Sequence, residues 1–315
     1  MTKKVIVTGG AGFIGSHVCD MYVAEGYDVL CVDDLSSGKL ENIEQLRMKN
    51  NFHFVHADIT DKERMMRLFA RFKPDMVNHH AAQKSVAASL EDPNHDLNIN
   101  GKGLLVLLSC IQKHPIDNFI YVSSGGALSK EISSNEKSKE EDRPQLISPY
   151  AITKYAGEKY LAVYSQLFQF DYTVLRYANV FGPRQIPDGE CGVIPIFARN
   201  VLDDKISTLM TYPDMPRGCT RDYVYVSDVA EANRLASHNP ANTVINIGSG
   251  KEVAILDIYE AILEAFGKEI AITISGPRLG DVKRSVLLND RAKEVWDWTP
   301  KISLEEGLGV LAANM

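Results

Sequence analysis

The sequence predicts an α/β protein built on a doubly wound parallel sheet, with a smaller loop-rich part toward the C-terminus. Three observations predict it. Strand-like and helix-like segments alternate through the first half of the chain. The first strand runs into a glycine-rich turn that opens a helix, and the second strand ends in an acid.

The chain begins with Val5, Ile6 and Val7, a β-branched run of the kind found in buried parallel strands. It stops at Gly9, and a helical pattern starts at Phe13, Ile14 and Val18. Gly10, Gly12 and Gly15 satisfy G-x-G-x-x-G, and Gly9, Gly12 and Gly15 satisfy the related G-x-x-G-x-x-G. Glycines there allow a tight turn, close approach of the backbone to a pyrophosphate, and close packing of helix on strand. The helix N-terminus offers amide N–H groups and a partial positive charge to that anion. A second apolar run, Val29–Val32, ends in Asp33, about 20 residues on, where a carboxylate can accept hydrogen bonds from an adenosine ribose. Asp33 and Asp34 together repel a 2′-phosphate and no Arg follows nearby, which favours NAD over NADP.

Further strands are expected at Phe52–His56, Met76–His80, Asn118–Ser123 and Tyr172–Tyr177. Helices are expected near Ile43–Met48, Lys62–Phe72, Leu97–Lys113 and Tyr150–Phe168. Beyond Asn179 the rhythm loosens into Pro- and Gly-containing loops, with a helix at Tyr223–Leu235 and a strand at Val244–Ile247 returning to the main sheet. The expected division is residues 1–178 joined by about 221–248 as a dinucleotide-binding domain of the Rossmann type. Residues 179–220 and 249–315 form the substrate-binding part, closing over the carboxyl edge of the sheet. The almost wholly polar stretch Ser129–Gln145 reads as a solvated loop and a candidate lid.

Composition narrows the function. The 315 residues suffice for one large or two modest cored domains, and 45% hydrophobic with 24% charged residues is ordinary for a soluble globular protein. A net charge of −7 argues against nucleic-acid and polybasic membrane partners. The five cysteines (Cys19, Cys31, Cys110, Cys191, Cys219) are scattered without a C-x-x-C pair, which fits a reducing cytosol and neither a disulfide framework nor a metal site. The N-terminus runs straight into a strand and no apolar run approaches ~18 residues, so a cytoplasmic location is expected.

Tyr150 and Lys154 form Y-x-x-x-K at the start of a helix announced by Ser148-Pro149. A spacing of four puts both side chains on one helix face. An ammonium close to a phenol lowers its pKa from ~10 by favouring the phenolate. Such a phenol can take a proton from a sugar hydroxyl while hydride leaves the same carbon for NAD. Ser123 and Ser124, at the end of the preceding strand, are the hydroxyls able to bridge the tyrosine and the substrate.

The chain resembles the extended short-chain dehydrogenases/reductases of the NAD-dependent nucleotide-sugar epimerase/dehydratase group, nearest the UDP-glucose/UDP-N-acetylglucosamine 4-epimerases. The resemblance spans essentially the whole chain. It rests on Thr8–His17 (TGGAGFIGSH), Ala57–Ile59 (ADI), His80–Val86 (HAAQKSV), Asn98–Gly101 (NING), Ser123–Ala127 (SSGGA) and Ser148–Glu158 (SPYAITKYAGE). It continues through Leu175–Arg184 (LRYANVFGPR), Gly192–Phe197 (GVIPIF), Arg221–Ala230 (RDYVYVSDVA), Asn246–Gly250 (NIGSG) and Arg278–Val282 (RLGDV).

The resemblance implies NAD on Gly9, Gly12, Phe13, Ile14 and Gly15, with the adenosine ribose held by Asp33, Asp34 and the Leu35-Ser36-Ser37-Gly38 turn. It implies Asp58 and Ile59 beside adenine. Along the nicotinamide half it implies Ala81, Ala82, Gln83, Lys84 and Asn98, with Tyr177 and Lys154 also on the cofactor. Tyr150 would be the base. The nucleotide-sugar substrate, UDP-linked, would be gripped by Lys84, Ser124, Asn179, Val193, Arg221, Arg278 and Asp281. Ser285, at a position where bulk restricts the sugar pocket in some relatives, suggests room for an N-acetyl group. Relatives pair through the helices Asn98–Lys113 and Tyr150–Phe168, so a homodimer is expected.

Two departures bear on the reaction. The run Ser123–Ala127 continues Leu128-Ser129-Lys130 where relatives have Val-Tyr-Gly, which leaves open whether Ser123 or Ser124 meets the substrate. Gly126 and Ala127 stand where dehydratases carry Asp-Glu and decarboxylases a Glu. The expected activity is therefore 4-epimerisation through a transient 4-keto sugar, with NAD as a recycled hydride carrier. The alternatives are a dehydratase, decarboxylase or uronate epimerase of the same group, and a non-catalytic NAD-sensing regulator.

Overall fold

The computed structural model describes residues 2–134, 136–187, 192–276 and 282–315. The chain divides into two compact units. The first comprises Met1–Leu128, Leu146–Arg176 and Val229–Ile245, and the second Ser129–Gln145, Tyr177–Asp228 and Asn246–Met315.

The first unit opens with β1 (Lys4–Thr8), α1 (Phe13–Ala24), β2 (Asp28–Asp33), a 3-10 turn at Leu40–Leu46, β3 (Phe52–His56), α2 (Lys62–Phe72) and β4 (Met76–His79). After β4 come α3 (Val86–Glu91), α4 (Pro93–Asp96), a π-helical turn (Leu97–Lys102) and α5 (Gly103–Lys113). β5 (Asn118–Ser124), α6 (Gly125–Leu128), α7 (Pro149–Phe168) and β6 (Asp171–Tyr177) complete this half of the chain. The expected helix Leu97–Lys113 is thus α-helical only from Gly103, and the expected Ile43–Met48 helix is a tighter 3-10 turn beginning at Leu40.

The elements that follow are β7 (Asn179–Phe181), α8 (Val193–Leu202), β8 (Ser207–Met210), β9 (Thr220–Arg221) and β10 (Tyr223–Tyr225). Next are α9 (Val226–His238), β11 (Val244–Ile247), β12 (Val253–Ala254), α10 (Ile255–Phe266), β13 (Ile272–Ser275), β14 (Arg284–Ser285), α11 (Asp290–Trp296) and α12 (Leu304–Ala313). The expected helix at Tyr223–Leu235 begins as strand: the aromatic and β-branched Tyr223-Val224-Tyr225 pairs in parallel with β7, and the helix starts only at Val226.

Seven strands form the main sheet in the order β11-β6-β5-β4-β1-β2-β3, and the pairs from β5 through β3 run parallel. The order reverses between β1 and β4, the switch point of a doubly wound sheet, where ligands of such folds bind. The parallel strands are almost continuously apolar because helices cover both faces. Ile6, Val77, Phe119 and Val174 are fully buried and pack with Phe69 of α2, Leu107 of α5 and Leu161 of α7. No helix among the described residues is long and apolar enough to cross a membrane.

The second unit has shorter strands in small sheets, β10-β7, β12-β9-β14 and β13-β8. The polar stretch Ser129–Gln145 belongs to it and is no free lid. The backbone of Ser138 bonds Val286 (2.8 Å) and Leu288 (2.9 Å). The Asn246 side chain donates to the Ser138 carbonyl at 3.0 Å, and Asn246 N–H donates to Glu140 at 2.9 Å.

Candidate active site

The turn after β1 is shaped by what its glycines exclude. Gly9 has φ +68°, and a Cβ there would lie 2.5 Å from the Ala81 nitrogen. A Cβ on Gly15 would run into the Gly9 carbonyl. Both positions therefore require glycine, and the turn lies directly against the loop that follows β4. No side chain caps α1, so its first amide groups, at Phe13 and Ile14, stay available to an anion.

Asp33 ends β2 almost fully buried. Its carboxylate accepts from Ala11 N–H at 2.9 Å and from Leu35 N–H at 2.8 Å, which ties the two loops to one another. Burial raises its pKa, and these two hydrogen bonds oppose the rise. Leu35 adopts φ +59°, a conformation unusual for a branched side chain. Asp34 is exposed and accepts from the Ser36 amide (3.0 Å) and hydroxyl (2.6 Å). Ser37 is exposed beside it, and a Cβ on Gly38 would press on the Asp33 carboxylate. Asp58 accepts from Thr60 N–H at 2.7 Å, and Ile59 is buried. The glycine turn, uncapped helix and buried ribose-side acid fit a dinucleotide such as NAD. Asn42, which the sequence did not single out, completes the cradle by donating to the Ala11 carbonyl at 2.8 Å.

Tyr150 is the second residue of α7, whose N-cap Ser148 accepts from Ala151 N–H at 3.1 Å. Lys154 lies one turn on, with Nζ 6.0 Å from the Tyr150 ring centre and 5.2 Å from that of Tyr121. Lys154 donates to the Val122 carbonyl at 3.0 Å, which fixes the ammonium beside β5. Burial pushes its pKa down to about 8, against the opposing pull of Asp96 and Glu158. His79 and His80, at the end of β4, are both held neutral by burial, with Lys154 adding to the effect. His79 shares a 2.7 Å hydrogen bond with Thr8.

The two serines have different surroundings. Ser123 is buried and donates to Glu158 Oε1 at 2.7 Å, and Glu158 is held bidentately by Arg176 at 2.8 and 2.7 Å. Ser124 is half-buried. Its oxygen accepts from Ala127 N–H at 3.2 Å, which leaves its proton to donate. Gly126 and Ala127 lie in α6, so no acidic side chain follows Ser124 in this turn.

The loop after β4 carries Ala81, Ala82 and Gln83, all half-buried, and the exposed Lys84. The π turn brings in Asn98, half-buried, and Asn100, whose side chain accepts from Gln83 N–H and donates to the Gln83 carbonyl, both at 3.0 Å. Tyr177 closes β6 and is buried.

In the second unit, Asn179 is exposed and its side chain donates to the Asp222 carbonyl at 3.1 Å. Arg221 is half-buried, with one guanidinium nitrogen on the carbonyls of Thr220 (2.8 Å) and Lys283 (3.3 Å). Val193 starts α8. Ser285 is buried in β14, paired with Arg221. Arg278 and Asp281 lie outside the described residues.

The sequence matches the NAD-dependent epimerase/dehydratase family over residues 5–248. It is 39% identical over 307 residues to a UDP-glucose 4-epimerase of Mycolicibacterium smegmatis, covering 97% of this chain and 96% of that one. A crystal structure of UDP-glucose 4-epimerase from Thermotoga maritima with UDP-glucose superposes with a TM-score of 0.92 at 42% identity, over 98% of this chain and 97% of the other. The Thermus thermophilus UDP-glucose 4-epimerase complex with NAD gives 0.91 at 40% identity, over 98% of each chain. The chain belongs to the NAD-dependent epimerase/dehydratase family, as an enzyme of its NAD-dependent nucleotide-sugar 4-epimerase group.

Proposed function

We propose that the protein interconverts a UDP-hexose or UDP-N-acetylhexosamine with its C4 epimer, with Tyr150 as the base. The observation that carries this reading is the Tyr150–Lys154 pair on one face of α7, with the ammonium anchored 6.0 Å from the phenol ring. NAD, when bound, supplies a hydride acceptor that returns the same hydride. Tyr150 takes the C4-hydroxyl proton and gives it back after the 4-keto sugar has turned over. Lys154 favours the phenolate form of Tyr150. Ser124, with its proton uncommitted, is the better of the two serines to hold the sugar oxygen, since Ser123 is spent on Glu158.

We assign Arg221 and Asn179 to the nucleoside diphosphate by the resemblance, together with Lys84 and Val193. Ser285, a small side chain where some relatives carry bulk, supports an N-acetylated sugar. The absence of an acid at Gly126 and Ala127 disfavours dehydration and decarboxylation.

One-dimensional proton NMR with UDP-, CDP-, GDP- and dTDP-sugars and no added NAD tests this reading. A new anomeric doublet approaching equilibrium with its parent is the expected result. A 4-keto or decarboxylated product, or no turnover across the panel, would refute it.

We also propose a homodimer through α7. Ile152, Tyr160, Val163 and Leu167 form an exposed apolar stripe at helical spacing along it, whereas the large apolar side chains of α5 are mostly buried. Sedimentation at micromolar concentration should give twice the chain mass, and Val163→Glu with Leu167→Glu should give the chain mass.

A further inference from the structure

A carboxylate that the mechanism above does not use lies beside the catalytic pair. Asp96, the last residue of α4, is fully buried and, among the described residues, has no cation in ion-pair contact. Three side chains from three elements converge on it. Gln83, in the loop after β4, donates to Oδ1 at 3.0 Å, and Asn100, in the π turn, donates to the same oxygen at 2.9 Å. Thr153, on α7 between Tyr150 and Lys154, donates to Oδ2 at 2.7 Å. A buried carboxylate without a contacting cation is costly unless a nearby charge balances it. The buried Lys154, next in the chain to the Thr153 that Asp96 holds, interacts with it electrostatically.

We propose that Asp96 is the buried counter-charge of the Tyr150–Lys154 pair, a positioning residue that keeps Lys154 protonated and, through Thr153, Gln83 and Asn100, locks the first turns of α7 to the loop Ala81–Lys84. This rests on the epimerase reading above. Several other groups face Lys154: Glu158 and Tyr150 from α7, Tyr121 from β5, and His79 and His80 from β4. Of these, the histidines are neutral and Glu158 is already satisfied bidentately by Arg176. Of the two carboxylates that favour the charged Lys154, Asp96 has the larger effect and, among the described residues, no cation in ion-pair contact.

Asp96→Asn isolates charge from shape. The amide oxygen can accept from Gln83 and Asn100, and the amide NH2 can donate to Thr153. The Thr153 proton can then turn to the Tyr150 carbonyl, already 3.1 Å away. In the holoenzyme we expect bound NAD and melting temperature to stay near wild type while both limbs of the kcat–pH bell move to lower pH. Its upper limb, where Lys154 loses its proton, falls by about one pH unit. Its lower limb falls as well, because the Asp96 charge also disfavours the Tyr150 phenolate. The near-ultraviolet phenolate titration of Tyr150, taken as the difference from Tyr150→Phe, should move to lower pH in the same variant.

Asp96→Glu keeps the charge but displaces the hydrogen bonds, so its limbs should stay in place while the plateau rate falls. Unmoved limbs and an unmoved phenolate titration in Asp96→Asn would overturn the proposal. So would limbs displaced to lower pH in Asp96→Glu, which reads out even if Asp96→Asn does not fold. If no nucleotide sugar is turned over, the epimerase reading fails, yet the phenolate titration still decides the role of Asp96.

Discussion

Each unit is ordered internally by different means. In the first, parallel ladders between long apolar strands and the helices that cover them supply most of the order. Buried polar groups there gather around the site: Asp33 at the glycine turn, Asp96 and Lys154 at α7, and the Ser123–Glu158–Arg176 network. In the second, strands of two to four residues cannot carry the architecture, and single buried side chains tie the loops down. Asp222 alone accepts from the amide and hydroxyl of Ser249 (both 2.7 Å), from Gly250 N–H (3.1 Å) and from Leu287 N–H (3.2 Å). Buried polar side chains thus surround the proposed catalytic pair in one unit and replace secondary structure in the other.

This contrast can be broken by experiment, beginning with the largest effect. Tyr150→Phe should lower the epimerisation rate by about 10³-fold or more while NAD content and melting temperature stay unchanged. A comparable loss of cofactor would make Tyr150 a binding group. Next, Glu158→Gln leaves the buried Arg176 without its carboxylate and should cost about 3–5 kcal/mol in urea unfolding. A cost below 1 kcal/mol would show that the pair is dispensable to the fold.

Asp222→Asn places an NH2 group against the amides of Gly250 and Leu287 and should cost about 2 kcal/mol. Limited proteolysis should then cut first in the second unit; first cuts in the helices of the first unit would contradict the keystone role. Smallest of all, Arg217→Ala removes an exposed pair of contacts to Asp257 and Glu260 and should leave the melting temperature unmoved at physiological salt.

The sequence by itself determined the backbone plan of the first unit. A period of two or of 3.6 in apolar residues is a local property, and so are the glycines of the first turn and the four-residue step from Tyr150 to Lys154. Those are readable because the residues that act together are neighbours in the chain. Even there, the 3-10 form of Leu40–Leu46 and the π turn at Leu97–Lys102 were not legible, since tertiary packing rather than propensity selects between helix types.

Only the tertiary structure decided which polar groups are spent and which are free. Asp96 and Thr153 are 57 positions apart, Ser123 and Glu158 35, and Asn246 and Ser138 108, so no spacing announces any of these bonds. Ser123 and Ser124 are adjacent and chemically identical in the sequence. The pleat of β5 turns one inward to Glu158 and leaves the other half-exposed, and that alternation across a strand separates their surroundings. The polar stretch Ser129–Gln145 reads as solvated because its composition is polar. It is anchored because Asn246 and the Val286–Leu288 backbone offer it partners that composition cannot reveal.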